Sequence, residues 1–217
     1  LIIMNLIATR NSIFQNRIIQ LTTLAAVLLA YRIYISGTTD FLFMFWNLFL
    51  AAIPLFVSRQ LMVNVRLGQS KILRYSLFFL WVLFLPNSPY IITDLIHLDN
   101  SAATIWLDML MLFIFALSGL LLGVLSMMDV FSYLRKQNHP FLANMMLLGI
   151  SLLSGFGIFL GRFLRFNSWD IVARPQLLMQ CIFKSLFLWN AWLWIIGFGA
   201  FIWISFWVLK PYLRGRR

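Results

Sequence analysis

Six runs of apolar residues, each close to the length needed to cross a bilayer, decide what this chain can become. A spanning helix takes about 20 residues, and the runs fall at about 18–35, 41–58, 72–93, 102–127, 142–164 and 188–209. Only 11% of the 217 residues are charged, against about 25% in a soluble globular domain. In hydrocarbon every backbone N–H and C=O must find a partner within the protein, so such runs span as helices. The expectation is an all-α integral membrane protein: one membrane domain over 1–217, a bundle of about six transmembrane helices.

The flanking residues fill in the picture. Residues 1–17 mix apolar side chains with Asn5, Arg10, Asn11, Gln15, Asn16 and Arg17, which predicts a short helix on the membrane surface. Arg17 before an apolar run resembles the opening of a signal peptide, but no small-residue cleavage site follows, so an uncleaved first span is expected. Arg32, near the end of that span, is expected to snorkel to the interface. Asn100 or Ser101 is expected to cap the fourth span. Trp189, Trp192, Trp194, Trp203 and Trp207 lie toward the two ends of the sixth, where interfacial aromatics belong. Pro175 opens a segment in which Gln176, Gln180 and Lys184 recur every four residues, predicting a short interfacial helix. Cys181 is the only cysteine, which excludes an intrachain disulfide.

The net charge of +11 is a topology signal. Arg10, Arg17, Arg59, Arg66, Lys71, Arg74, Arg135, Lys136, Lys210, Arg214, Arg216 and Arg217 all fall on one side, twelve of the seventeen basic residues, with Asp129 the sole acid there. The other side balances Arg32, Arg162, Arg165, Arg174 and Lys184 against Asp40, Asp94, Asp99, Asp108 and Asp170. The positive-inside rule then puts both termini in the cytoplasm. No nucleic-acid-binding motif accompanies the charge, so nucleic acid is not an expected partner. The expected partners are the bilayer, anionic lipid, or other membrane subunits.

The third run is interrupted by Leu85-Pro86-Asn87-Ser88-Pro89-Tyr90. Each proline lacks an amide hydrogen and disfavours the α conformation in the residue before it. Leu85 and Ser88 are therefore expected to leave the helix, giving a proline-broken third span with Ser88 as the cap of a new helical piece. Broken backbone at membrane depth must be buried or line a wet cavity, and such breaks mark binding sites in transporters. In that second piece Tyr90 and Asp94 are i,i+4 and Asp94 and His97 are i,i+3, so an α-helix would put all three on one face.

Asp99 and Asp108 follow on the same side. The fifth span ends in Gly161-Arg162-Phe163-Leu164-Arg165-Phe166-Asn167-Ser168-Trp169-Asp170. An acid near hydrocarbon wants a partner, and Arg162 and Arg165 share a helix face. The plain reading is an ion-pair lock joining the third, fourth and fifth spans. Together Asn87, Tyr90, Asp94, His97, Asp99, Asp108, Arg162, Arg165, Asn167 and Asp170 form the candidate cluster. Three functional readings stand beside the lock. Arg162, Arg165 and Asn167 suit an anionic headgroup, because arginine offers forked donors to phosphate. Asp94, His97 and Asp99 are a weak candidate set for a divalent metal. Asp94 and His97 could form an acid/base pair. With no serine or cysteine nucleophile motif, P-loop or HExxH, enzymatic activity is unsupported, and no cofactor is expected. Gly119 and Gly123, and Gly157 and Gly161, are spaced four apart, which lets helix backbones approach closely in lipid. Packing within the chain is the favoured use, oligomer formation the lesser one.

The two motifs, Leu85-Pro-Asn-Ser-Pro-Tyr-Ile-Ile-Thr-Asp-Leu-Ile-His-Leu98 and Gly161–Asp170, resemble the membrane family catalogued as domain of unknown function 1361. The resemblance extends over most of the chain. It implies a polytopic bacterial membrane protein, in a cytoplasmic (inner) or cyanobacterial thylakoid membrane, and carries no catalytic residues. The leading functional expectation is a non-enzymatic protein that binds an amphiphilic or anionic ligand at the exoplasmic cluster. The alternatives are an accessory or assembly subunit of a larger membrane complex, photosynthetic ones included, and a membrane-embedded enzyme using Asp94 and His97. The outward aromatics of spans two and six would suit contacts to helices or pigments in such a complex.

Overall fold

The computed structural model describes residues 2–66, 70–98 and 104–214, with side chains from residue 16 onward apart from Arg66, His97 and Arg214. Among these residues there are helices and no strands: α1 (Ile2–Ser36), α2 (Phe43–Arg66), α3 (Lys71–Phe84), α4 (Asn87–Tyr90), a 3-10 segment (Ile91–His97), α5 (Ile105–Gln137), α6 (Pro140–Leu164), α7 (Asp170–Ala173), α8 (Pro175–Leu186) and α9 (Trp189–Arg214). Six stretches are long and apolar enough to cross a membrane: Asn16–Ser36, Phe43–Val65, Lys71–Ile96, Ile105–Gln137, Pro140–Leu164 and Trp189–Leu213.

Helix α5 is the axis of the bundle. Its spanning stretch is 67% buried, against 22–39% for the others, and α1, α2, α4, the 3-10 segment, α6 and α9 all pack on it. The outer helices bury one stripe and leave Phe49, Phe79, Leu153, Ile196 and similar side chains exposed, as lipid-facing surfaces do. Helices α6 and α9 form the closest pair. A Cβ on Gly155 would lie 2.5 Å from the Ile195 carbonyl oxygen, and one on Gly199 would lie 2.7 Å from Leu152 Cδ2. Two bare backbones therefore touch there, as small residues allow.

The chain departs from expectation at its start. Residues 1–17 do not form a separate surface helix: α1 runs unbroken from Ile2 to Ser36. Neither proline nor glycine occurs in that stretch, so nothing interrupts the hydrogen-bond ladder. Asn100 and Ser101 lie outside the described residues, and Thr104 occupies the N-cap of α5. The amphipathic segment after Pro175 is α8, 12 residues long, with Leu178 and Ser185 its buried positions.

The proline motif is a second departure. Leu85 keeps φ −53° and ψ −39°, and Pro86 keeps φ −56° and ψ −29°. The third span therefore does not leave the helical region at Leu85, and no broken span is borne out there. What changes is the hydrogen bonding. The Ser88 N–H donates to the Leu85 carbonyl at 3.1 Å, and from Ile91 the winding tightens to 3-10. Carbonyls that lose their usual donors are taken up by side chains. Asn87 Nδ2 donates to the Phe84 carbonyl at 2.9 Å, and Ser168 Oγ donates to the Leu83 carbonyl at 3.2 Å. Repair of this kind lets prolines persist in membrane helices. Ser88 is correspondingly not a cap: Pro86 holds that position, and Ser88 Oγ donates to the Ala51 carbonyl of α2 at 2.9 Å.

The four spaced glycines receive this segment. A Cβ on Gly119 would sit 2.6 Å from the Ser88 carbonyl oxygen, and one on Gly123 would sit 2.8 Å from Ser88 Cβ. On the opposite wall, one on Gly157 would sit 2.6 Å from Pro86 Cγ, and one on Gly161 would sit 3.2 Å from the Tyr90 ring. Both pairs thus serve packing within the chain.

Candidate functional site

The proline segment is clamped between α5 and α6, which turns Tyr90 and Asp94 toward a cavity of about 940 Å³ bounded by α2, α3, α6 and the loop after α6. Asp94 is 1% exposed. Its Oδ1 accepts from Arg162 Nη1 at 3.1 Å, and its Oδ2 accepts from Asn47 Nδ2 at 2.8 Å. Burial without partners would cost an ionised carboxylate several kcal/mol; a guanidinium and a neutral amide donor from two other helices offset that.

Asn47 is the site residue that sequence reasoning missed. Its signal was an amide inside the apolar run Phe41–Leu50, a position where a polar side chain needs a partner. Asn87, besides meeting the Phe84 carbonyl, donates to Ser168 Oγ at 3.0 Å and so ties the third span to the loop after α6. Trp46 and Trp169 meet edge to face at 6.4 Å beside the cavity.

The predicted cluster divides. Asn87, Tyr90, Asp94, Arg162, Arg165 and Asn167 all line the cavity. Asp108 is not opposite Arg162 or Arg165. It pairs with Arg32 of α1, through Nε to Oδ1 at 2.5 Å and Nη2 to Oδ2 at 3.3 Å. Arg32 therefore does not snorkel: it is 8% exposed, and the buried acid holds it inside. The ion pairs thus join α6 to the third span and α1 to α5, rather than locking the third, fourth and fifth spans together. Asp170 turns inward to its own loop, accepting from the Asn167 N–H at 2.7 Å and from Arg174 Nε at 3.0 Å. The Asn167 N–H, opposed by burial and assisted by Arg174, holds the Asp170 carboxyl below the usual carboxylate value.

The Asp99 position and the His97 side chain lie outside the described residues. Of the residues in the metal and acid/base readings, Asp94 is described, and Asn47 and Arg162 engage it. Among the described residues no group of three His, Cys, Asp or Glu side chains is placed to hold a metal ion.

Arg165 behaves unlike Arg162. It ends α6 with φ 57° and ψ 34°, in the left-handed region, and its N–H and that of Phe166 both donate to the Leu160 carbonyl. Its side chain is exposed and lines the cavity. Away from this end the cavity walls are apolar: Phe79, Val82 and Leu83 of α3 face Leu153, Phe156 and Leu160 of α6. Helix α3 packs chiefly on α2 and scarcely touches α6. Phe79 is 59% exposed and Leu153 52% exposed, so the cavity opens sideways between the two helices. Leu178 and Ile182, one turn apart on α8, line it as well.

No curated protein matches the chain, and no solved structure does. A family model described as "Protein of unknown function (DUF1361)" matches residues 46–205. The match takes in both motifs and every cavity residue from Trp46 onward. With its six spanning helices and these two motifs, this membrane protein belongs to the DUF1361 family.

Proposed function

We propose that the chain is a non-enzymatic membrane protein that holds an amphiphilic ligand in the slot between α3 and α6. One observation carries the reading: a cavity of about 940 Å³ is polar at one end only. Asn87, Asp94, Arg162, Arg165 and Asn167 gather at that end, while Phe79, Val82, Leu153 and Phe156 line the other. Its size lies near the top of the range for ligand pockets, about 300–1,000 Å³. Its depth suits a lipid. From Leu153 to Arg162, α6 rises about 13 Å, close to half of a hydrocarbon core of about 30 Å. A headgroup at the arginines would leave its chain in a single leaflet. The positive-inside rule makes that leaflet exoplasmic and both termini cytoplasmic, in the bacterial cytoplasmic or thylakoid membrane that the family resemblance implies.

The test is lipid mass spectrometry on the detergent-purified chain and on Phe156→Trp, which fills the apolar end. The wild type should carry lipid through purification and the variant should lose it. Equal lipid content in both would sink the reading.

A second reading, an accessory subunit of a larger membrane complex, is favoured by one feature. An apolar groove of about 430 Å³ runs between α9 and the 3-10 segment, lined by Leu193, Trp194, Gly197, Phe198 and Phe201 of α9 and by Ile92. Stoichiometric co-purification with a larger complex would support it.

A further inference from the structure

Resting on that slot and deepening it, we infer that the ligand is a phosphate-headed lipid of net negative charge and that Arg165, not Arg162, anchors its headgroup. Two arginines and one aspartate line the cavity. Arg162 faces Asp94, and Asp94 is also held by Asn47. One positive charge is left, on Arg165, which has no ion-pair partner among the described residues.

The backbone at Arg165 points the same way. Arg165 is the one non-glycine residue at positive φ among the described residues. Helices that end in this conformation usually do so with glycine or asparagine. Arginine here carries backbone strain that glycine would not. The turn delivers a guanidinium to the cavity mouth, and Tyr90 and Asn167 line the same cavity. Neither the Tyr90 hydroxyl nor the Asn167 side chain has a hydrogen-bond partner among the described residues. The carboxylates close by, Asp94 and Asp170, are both occupied. Among the described residues, the mouth therefore offers donors and one net positive charge. A phosphate, with several acceptor oxygens around one centre, satisfies a forked guanidinium and neighbouring donors together. Diacyl phospholipids and polyprenyl phosphates share this chemistry.

The experiment reconstitutes the full chain in phosphatidylcholine vesicles doped with phosphatidylglycerol, with a polyprenyl phosphate, or with oleate. The protein is then extracted in detergent and its retained lipid counted by native mass spectrometry. The wild type should retain phosphatidylglycerol or the polyprenyl phosphate over phosphatidylcholine by about tenfold, the effect of one charge-assisted contact. Whichever dopant is retained more strongly identifies the source of the phosphate. Arg165→Gln and Arg165→Gly should lose that tenfold advantage and retain phosphatidylglycerol or the polyprenyl phosphate only as well as phosphatidylcholine. Arg165→Gly guards against misfolding, because glycine suits the backbone there. A preference that survives in both variants overturns the assignment to Arg165, and oleate retained as strongly as the phosphates overturns the phosphate. If Phe156→Trp alone leaves lipid retention untouched, the slot reading has failed; loss of preference without loss of lipid cannot arise that way.

Discussion

Arg162 Nη1 lies 3.1 Å from Asp94 Oδ1, and that contact joins the end of α6 to the 3-10 turns that follow Pro86 and Pro89. Sixty-eight positions separate the two residues in the chain. Their side chains are 15% and 2% exposed, so the pair sits in a medium where charges are weakly screened.

Removing either partner should be costly, because the other is left buried and uncompensated. Asp94→Asn and Arg162→Met are each expected to destabilise the protein by about 3 kcal/mol, and the double variant by clearly less than the sum. Thermal unfolding in detergent, followed by the fluorescence of the nine tryptophans, measures this. Additive losses would show that the two side chains are not coupled.

The glycines divide by what surrounds them. Gly119→Ala would drive a methyl group to 2.6 Å from the Ser88 carbonyl oxygen, and Gly157→Ala to 2.6 Å from Pro86 Cγ. Overpacking of this kind costs about 1–3 kcal/mol. Gly149 and Gly197 have nothing within 4 Å of a built Cβ, and alanine there should be neutral or stabilising by up to about 1 kcal/mol. The four midpoints, measured in one detergent, test the contrast; equal effects at tight and open positions would contradict the packing described above.

Arg165→Gly should raise stability, since a left-handed conformation costs a non-glycine residue about 1–2 kcal/mol. A higher unfolding temperature alongside lost headgroup preference is the expected signature of a residue held under strain for binding. A lower one would mean that the arginine side chain stabilises the loop.

Asp170 predicts a pH dependence outside the spans. Its folded-state pKa is lowered, first by the Asn167 N–H and then by Arg174, against burial. The stability it contributes is therefore fully present above the unfolded-state value of about 3.9. It is lost as the pH falls through the lowered folded-state pKa. Asp170→Asn should lower the unfolding temperature at neutral pH and flatten its fall below about pH 4. An unchanged acid limb in that variant would show that Asp170 makes no such contribution.

How much was legible in the sequence varied from residue to residue. The six spans followed from the length of the apolar runs, and α8 from the recurrence of Gln176, Gln180 and Lys184. Both motifs were assigned to one end of the bundle by alternation of the spans alone, and Tyr90, Asp94 and Arg162 do meet there. Asn47 was passed over because a single amide in an apolar run gives no hint of its partner. Leu85 was expected to leave the helix because the local rule for a residue before proline ignores donors brought from elsewhere. Asn87 can reach the Phe84 carbonyl locally, but Ser168 arrives at the Leu83 carbonyl from a distant loop.

The sequence by itself determined that the chain crosses the membrane in six helices and that five of its six acids fall at the same end as Arg162 and Arg165. Both follow from local hydropathy and from lipid's demand that backbone groups pair internally. Only the tertiary structure decided that Asp108 takes Arg32 while Asp94 takes Arg162, and that a side-opening slot separates α3 from α6. Those outcomes depend on how each helix is rotated and how closely it approaches its neighbours. Close approaches at Gly119, Gly157 and Gly155 help set that geometry, and they involve residues far apart in the chain, which no local pattern records.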